Sequence, residues 1–399
     1  MNGALEGIKV IEWAHWVVGP LAGSILAELG ADVIKIEERT GDRMRGLTHV
    51  KGQKIERNWL FEYANRSTRS IAIDLETQKG KEIIYEFIRK ADVFLHNFQA
   101  GIPEKLGLDY ETLSRYNPRL IYAQGSGWGL NGPFLDKPAY APIMESRSGI
   151  MQLVAGPGKP PIPAPGALGD VITSIILVPT ILAALLARER LGAGQKIDVS
   201  GLGSLIFLQG CSVSNYFIGG VEEQTLIRAQ ARNPLWNYYQ CADGKWMFLA
   251  MLQSDRYWPN FCEAMRVKHL EKDPRFENSE ARKQNARELI SILEEIFSTR
   301  PLSEWLEHFE HQWELVYAPV QSIPELVTDP QVIANEYVMD FNHPVYGMIK
   351  VLGFPYKFSR TPASVKGPAP ELGQHTEEIL LEMGYDWEDI VRLEDEGVI

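Results

Sequence analysis

The chain has 399 residues, 45% of them hydrophobic, which is more than one ordinary core requires, so two domains are expected. Forty basic residues against 52 acidic ones give a net charge of -12, which argues against a nucleic-acid surface but leaves room for a local basic pocket. Three cysteines without a CxxC or a Cys/His grouping exclude a disulfide framework and a structural zinc, and a reducing cytoplasm is the plain expectation.

The opening segment MNGALEGIKVIEWAHW has no basic stretch followed by an apolar one, so no signal peptide is expected. IKVIEW (8–13), a helical stretch LAGSILAELG after Gly19 and Pro20, and ADVIKIE (31–37) read as a strand, helix, strand unit. RSIAIDL (69–75), ADVFLHNF (91–98) and RLIYAQG (119–125) continue the pattern between helical segments. Repetition of such units implies a parallel, doubly wound α/β sheet. Residues Val171 to Ala187 carry no charge and touch the lower length limit for a membrane span. Thr173, Ser174, Pro179 and Thr180 argue instead for a buried core helix, kinked or broken near Pro179, and no membrane partner is expected.

Past Gly192 the texture turns glycine-rich. LWNYYQCADGKWMFLAML reads as a hairpin around Asp243 and Gly244, and SEARKQNARELISILEEIFS and LSEWLEHFEHQ read as helices. The expected division is a large domain from 1–200, a linker over 201–224, a small α+β domain over 225–325, and a return through 326–399 to the large domain.

Glu37 and Glu38 end the second strand where a ribose-binding acid would lie, but VVGPLAG lacks the GxGxxG fingerprint of dinucleotide sites. QGSGWGLNGP (124–133) follows a strand without a P-loop ending. It reads either as a turn needing positive φ or as a loop whose backbone approaches a substrate. Arg39, Arg43 and Arg45 form either a solvated loop or a receiver for phosphates. No GxSxG occurs, and the eight histidines show no metal spacing.

Asp170 stands out among the acids. In GALGDV it opens the apolar helix, so it reads as an N-cap; its alternative role is that of a desolvated carboxylate able to attack an activated acyl carbon.

Together LEGIKVIEWAHWVVGPLAGSILAELGADVIKIE, RSIAIDL, ADVFLHNFQAG, EKLGLDYETLSRYNPRLIYAQGSGWG, KPAY, GALGDV, ALLARERLGAGQKIDVS and LGQHTEEILLEMGY resemble the family III CoA-transferases, the formyl-CoA and carnitine CoA-transferase group, in order and spacing. The resemblance implies a Rossmann-like large domain built from both chain ends, a smaller α+β domain inserted in it, and two copies interlocked as a homodimer. It implies transfer of CoA from an acyl-CoA to a carboxylic acid through an aspartyl mixed anhydride and an aspartyl-CoA thioester, with Asp170 as nucleophile. Coenzyme A enters as substrate, and no metal or redox cofactor is implied. Matched CoA-binding positions are Ile73, Asn97, Phe98, Lys105 and Tyr140, with Arg39 a looser match.

Formyl-CoA and oxalate transferases carry a glutamine where this chain has Val17 and a glutamate where it has Ala141. With Trp13, His15, Trp16 and Trp59 nearby, the pocket is expected to take a larger, less polar acid. The related α-methylacyl-CoA racemases pair an aspartate with a histidine near the position of Tyr140, which this chain lacks there. A non-catalytic CoA-binding protein is the remaining alternative.

Overall fold

The structure is a computed structural model describing residues 3–47, 49–50, 53–54, 58–156, 158–223, 225, 227–310 and 314–399. It divides into two compact units: residues 1–155, 160–223 and 339–399 form the larger, and residues 156–159 with 224–338 the smaller.

Six strands build the sheet of the larger unit: β1 (Lys9–Trp13), β2 (Asp32–Glu37), β3 (Arg69–Ala72), β4 (Val93–His96), β5 (Ile121–Ser126) and β6 (Gln195–Ser200). Every neighbouring pair is parallel and the spatial order is β3-β2-β1-β4-β5-β6, the doubly wound order of a Rossmann-like sheet. Helices α1 (Val18–Glu28), α2 (Trp59–Asn65), α3 (Gln78–Lys90), α4 (Ile102–Leu106), α5 (Tyr110–Tyr116), α6 (Ala141–Ser148), α7 (Ile150–Ala155) and α8 (Leu168–Leu191) lie between or beyond these strands.

Strands buried on both faces need apolar side chains throughout, and they get them. On one face Val10, Val33, Leu95, Ile121 and Ala123 pack with α1 and with Leu177, Ile181 and Leu185 of α8. On the other, Ile11, Ile36, Ile71 and Phe94 meet α3 and α5. They also meet Ile379, Leu380, Ile390 and Leu393, from helices at 376–383 and 387–395. The sheet core therefore draws on both ends of the chain.

By length and composition α8 could cross a membrane, yet it packs Leu177 and Ile181 fully buried on the sheet, as a core helix does. It also runs unbroken through Pro179, so of the kink or break expected there the break does not occur. The proline removes the N–H that would bond the Ile175 carbonyl, on a side of the helix where Ile175 is half exposed.

Buried charges on β1 and β2, with a third in the loop beyond β2, interrupt this apolar packing. Lys35 of β2 sits opposite Glu12 of β1 in register, 2.9 Å from its carboxylate and 3.1 Å from Asp42, all three side chains fully buried. The two carboxylates hold the Lys35 ammonium charged, above the usual lysine range.

The stretch 201–224 was expected as a linker, but residues 201–223 carry helices α9 (Gly201–Leu208) and α10 (Gly210–Gly219) and group with the larger unit; Gln224 lies outside the described residues. The smaller unit continues to Val338 rather than ending near 325. It contains the hairpin β7 (Trp236–Gln240) and β8 (Trp246–Ala250), turning at 241–245 as the sequence indicated, and β9 (Tyr317–Pro319) pairs antiparallel to β8. Its core gathers Tyr239, Met247, Trp258, Phe261, Phe297, Trp305 and Phe309. The helix expected at 302–312 spans Leu302–Phe309, and His311 and Gln312 lie outside the described residues.

Candidate active site

In doubly wound sheets ligands gather beyond the carboxyl ends of the strands, and a cavity of about 460 Å³ opens there in the larger unit. Its walls come from the turn between β1 and α1 (His15 to Val18), the segment after β4 (Asn97 to Ala100), the end of β5 and the glycine loop after it (Gln124 to Gly129), Leu135 and residues 137–140, Arg43, Leu60, and the start of α8 at Ala167 and Asp170.

The sequence makes this wall tight. A Cβ at Gly125 would lie 2.6 Å from Val18, and one at Gly127 would lie 2.1 Å from Ala139, so only glycine lets the loop approach its neighbours this closely. Gly129 and Gly132 additionally take positive φ, as the turn reading of this loop expects.

Opposite the loop, the turn 14–17 is held by its backbone. The Asn97 side-chain amide donates to the His15 carbonyl at 2.7 Å while its oxygen accepts from the His15 amide at 3.0 Å. Trp16 has φ +64, a region costly for a bulky residue, and its amide donates to Asp42 at 3.3 Å. The Lys35 ammonium also donates to the Ala14 carbonyl, so the buried charges reach this turn. Burial pulls the His15 imidazole below its usual range and keeps it neutral.

Asp170 occupies the first turn of α8 rather than its cap. The helix begins two residues earlier, after Ala167 in a left-handed conformation. No donor among the described residues bonds the Asp170 carboxylate. Burial first, and then the nearby Glu145 charge, push it up to about 7. Glu145, on α6 and almost fully buried, takes the capping role instead by accepting the Gly169 amide at 3.1 Å.

The other expected residues divide. Val17, His15, Asn97, Phe98 and Tyr140 line the cavity with Asp170. Phe98 stacks on Trp13 at 4.0 Å, and Tyr140 leaves its ring 55% exposed. Ile73 is fully buried in the sheet core, outside the cavity lining, with its amide bonded to the Glu37 carbonyl. Lys105 and Arg39 are exposed and outside the lining, with the Arg39 guanidinium bonded to the Gly397 carbonyl. Trp59 lines a different cavity, of about 330 Å³, with Tyr63, Phe341 and His343.

Of the three arginines, Arg43 reaches the cavity while Arg45 pairs with Glu37. Glu37 is thereby engaged, with Ser70 and the Asp42 amide as further partners, and is not free to hold a ribose. Arg43, Lys137, Gln124 and Glu145 are site residues that the sequence did not single out for these places; only the arginine cluster and the glycine loop hinted at any of them. Among the described residues no group of three or more His, Cys, Asp or Glu side chains could hold a metal ion.

A family model described as CoA-transferase family III matches residues 5–376, and the chain belongs to that family of transferases. An acyl-CoA transferase of Fusarium pseudograminearum is 33% identical over 409 residues, which span 100% of this chain and 89% of that one. The (R)-2-hydroxy-4-methylpentanoate CoA-transferase of Clostridioides difficile is 30% identical over 99% of both chains. A CaiB/BaiF family protein from Brucella suis superposes with a TM-score of 0.85 at 29% identity, over 96% of this chain and 100% of that one.

Proposed function

We propose that the protein moves coenzyme A from an acyl-CoA thioester to a carboxylic acid, with Asp170 as the attacking group. The observation that carries this reading is an aspartate carboxylate bonded by no donor among the described residues, largely buried, and facing a cavity at the strand ends.

An Asp170 oxygen attacks the thioester carbonyl carbon; the carbon–sulfur bond breaks and CoA leaves as thiolate, giving a mixed anhydride. The thiolate attacks the aspartyl carbonyl, releasing the donor acid as carboxylate and leaving an aspartyl-CoA thioester. The acceptor carboxylate attacks that thioester, re-forming an anhydride, and the returning thiolate takes the acceptor acyl group and frees Asp170. Each step exchanges one acyl bond for another, so no proton or electron is consumed. A carboxylate raised to about 7 is more basic than a surface aspartate yet ionised above neutral pH, and a dry pocket protects the anhydride from hydrolysis.

Arg43 and Lys137 are the cations of the cavity wall and suit anionic parts of the ligands, while Phe98 and Tyr140 offer apolar surface. Arg39 and Lys105 remain as exposed cations for more distant phosphates. Val17, Val18, Leu60, Leu135 and Met144 make the wall apolar, which favours an acid with an aliphatic body. The C. difficile relative, named for a branched aliphatic hydroxy acid, points the same way.

The test is intact-mass spectrometry after mixing the protein with a panel of acyl-CoAs and then hydroxylamine. A hydroxamate on the Asp170 peptide, formed only with certain acyl-CoAs, is expected. No adduct, together with exchange of the α-proton into deuterated solvent, would replace transfer with racemisation.

Two copies of the chain are proposed to associate. Phe207 and Ile218, on α9 and α10, are 79% and 89% exposed and lie on an apolar surface of the kind that marks interfaces. Sedimentation equilibrium at micromolar concentration should return twice the chain mass; a monomer mass would refute the pairing.

A further inference from the structure

Asp170 opens an apolar helix where free N–H groups would ordinarily capture any nearby carboxylate. Its own carboxylate nevertheless has no donor among the described residues, and a carboxylate from another helix sits at this terminus. Glu145 reaches from α6, with 1% of its surface exposed, and its Oε1 accepts the Gly169 amide. The approach is rigid. A Cβ at Gly169 would lie 3.3 Å from Leu205 and 3.5 Å from the Ala141 carbonyl, and one at Gly201 would lie 2.3 Å from the Met144 sulfur, so α6, α8 and α9 meet with little slack. Met144 and Leu205 are themselves buried in one cluster at that junction.

We propose that Glu145 is a positioning residue for Asp170: by accepting the Gly169 amide it occupies the helix terminus in the aspartate's place and leaves the Asp170 carboxylate unbonded toward the cavity. A carboxylate held by helix amides is a weak nucleophile, because those bonds must break before it attacks. Glu145 takes the Gly169 amide out of that competition and adds a second negative charge that makes the aspartate more basic. The other titratable or charged groups lining the cavity are His15, kept neutral, and Arg43, Lys137 and Tyr140, all three exposed to water, which screens them. From α1 and α9 the neighbours are Val18 and Leu205, which carry no charge.

This inference rests on Asp170 as the attacking group, and two variants separate the cap from the charge. Glu145→Gln keeps an acceptor for the Gly169 amide and removes the charge; Glu145→Ala removes both. The Asp170 carboxyl is followed directly by ¹³C NMR on labelled protein, assigned by its absence in Asp170→Asn, and transfer is followed as kcat/KM against pH. In Glu145→Gln the midpoint of the Asp170 titration and the acid limb of kcat/KM should both move down by about one pH unit. In Glu145→Ala kcat should fall about tenfold or more, with Glu145→Gln recovering most of the loss. An unmoved Asp170 titration in Glu145→Gln, or an unchanged kcat in folded Glu145→Ala, would overturn the proposal. A titration that moves in a protein without transfer activity would uphold the positioning and overturn the transferase reading instead.

Discussion

Asp170→Asn is expected to lower CoA transfer by about 10⁴-fold or more, the scale on which loss of an attacking side chain is felt. Asparagine keeps the shape of the side chain and removes the nucleophilic oxygen. The fold should survive, because the aspartate makes no side-chain hydrogen bond among the described residues and the helix cap is supplied by Glu145. The stability change has a definite sign. The folded protein raises the Asp170 pKa from 3.8 to about 7, so folding disfavours the ionised form. Wild-type stability from this group therefore declines as pH rises through that window and stays low above it. The asparagine variant escapes the decline. It should melt at an equal or higher temperature than wild type at pH 8, with the advantage shrinking toward pH 4, as read by calorimetry across pH. Activity near wild type would remove Asp170 from the chemistry, and unfolding of the variant at pH 8 would make it a structural residue.

The second large effect concerns stability at Lys35. Lys35→Met leaves the Glu12 and Asp42 carboxylates buried without their cation, and a loss of about 3–5 kcal/mol is expected, as for other buried pairs broken on one side. Replacing the ion group by apolar residues throughout is a different experiment, since it removes the orphaned charges too. Because the chain has two units, the loss should be read locally, by native-state hydrogen exchange of the β1 and β2 amides. Exchange slowed or unchanged in the variant would show that the ion group contributes nothing to the stability of the sheet.

The sheet was legible in the sequence because parallel strands covered on both faces must be apolar almost throughout, and runs such as VFLH declare this locally. The cap of α8 was not. Asp170 before an apolar run has the local signature of an N-cap, but the group that caps the helix lies on α6, 24 residues before Gly169, and no short-range pattern encodes that. The same holds for Asn97, whose amide grips the His15 backbone across 82 residues. Positions carried over from a family resemblance name residues without saying which face they turn. Ile73 sits wholly in the core, whereas Arg43, a few residues beyond Arg39, reaches the cavity. Trp59 was expected in the pocket, yet it is its neighbour Leu60 that lines the cavity with Asp170.

The turn at 14–17 is fixed by contacts to its main chain: Lys35 at the Ala14 carbonyl, Asn97 at both polar groups of His15, and Asp42 at the Trp16 amide. None of these bonds depends on which side chains positions 15, 16 and 17 carry. The path of the wall and the chemistry it displays are thus inherited separately. Exchanging those side chains can alter what the cavity wall displays while the scaffold beneath keeps its course.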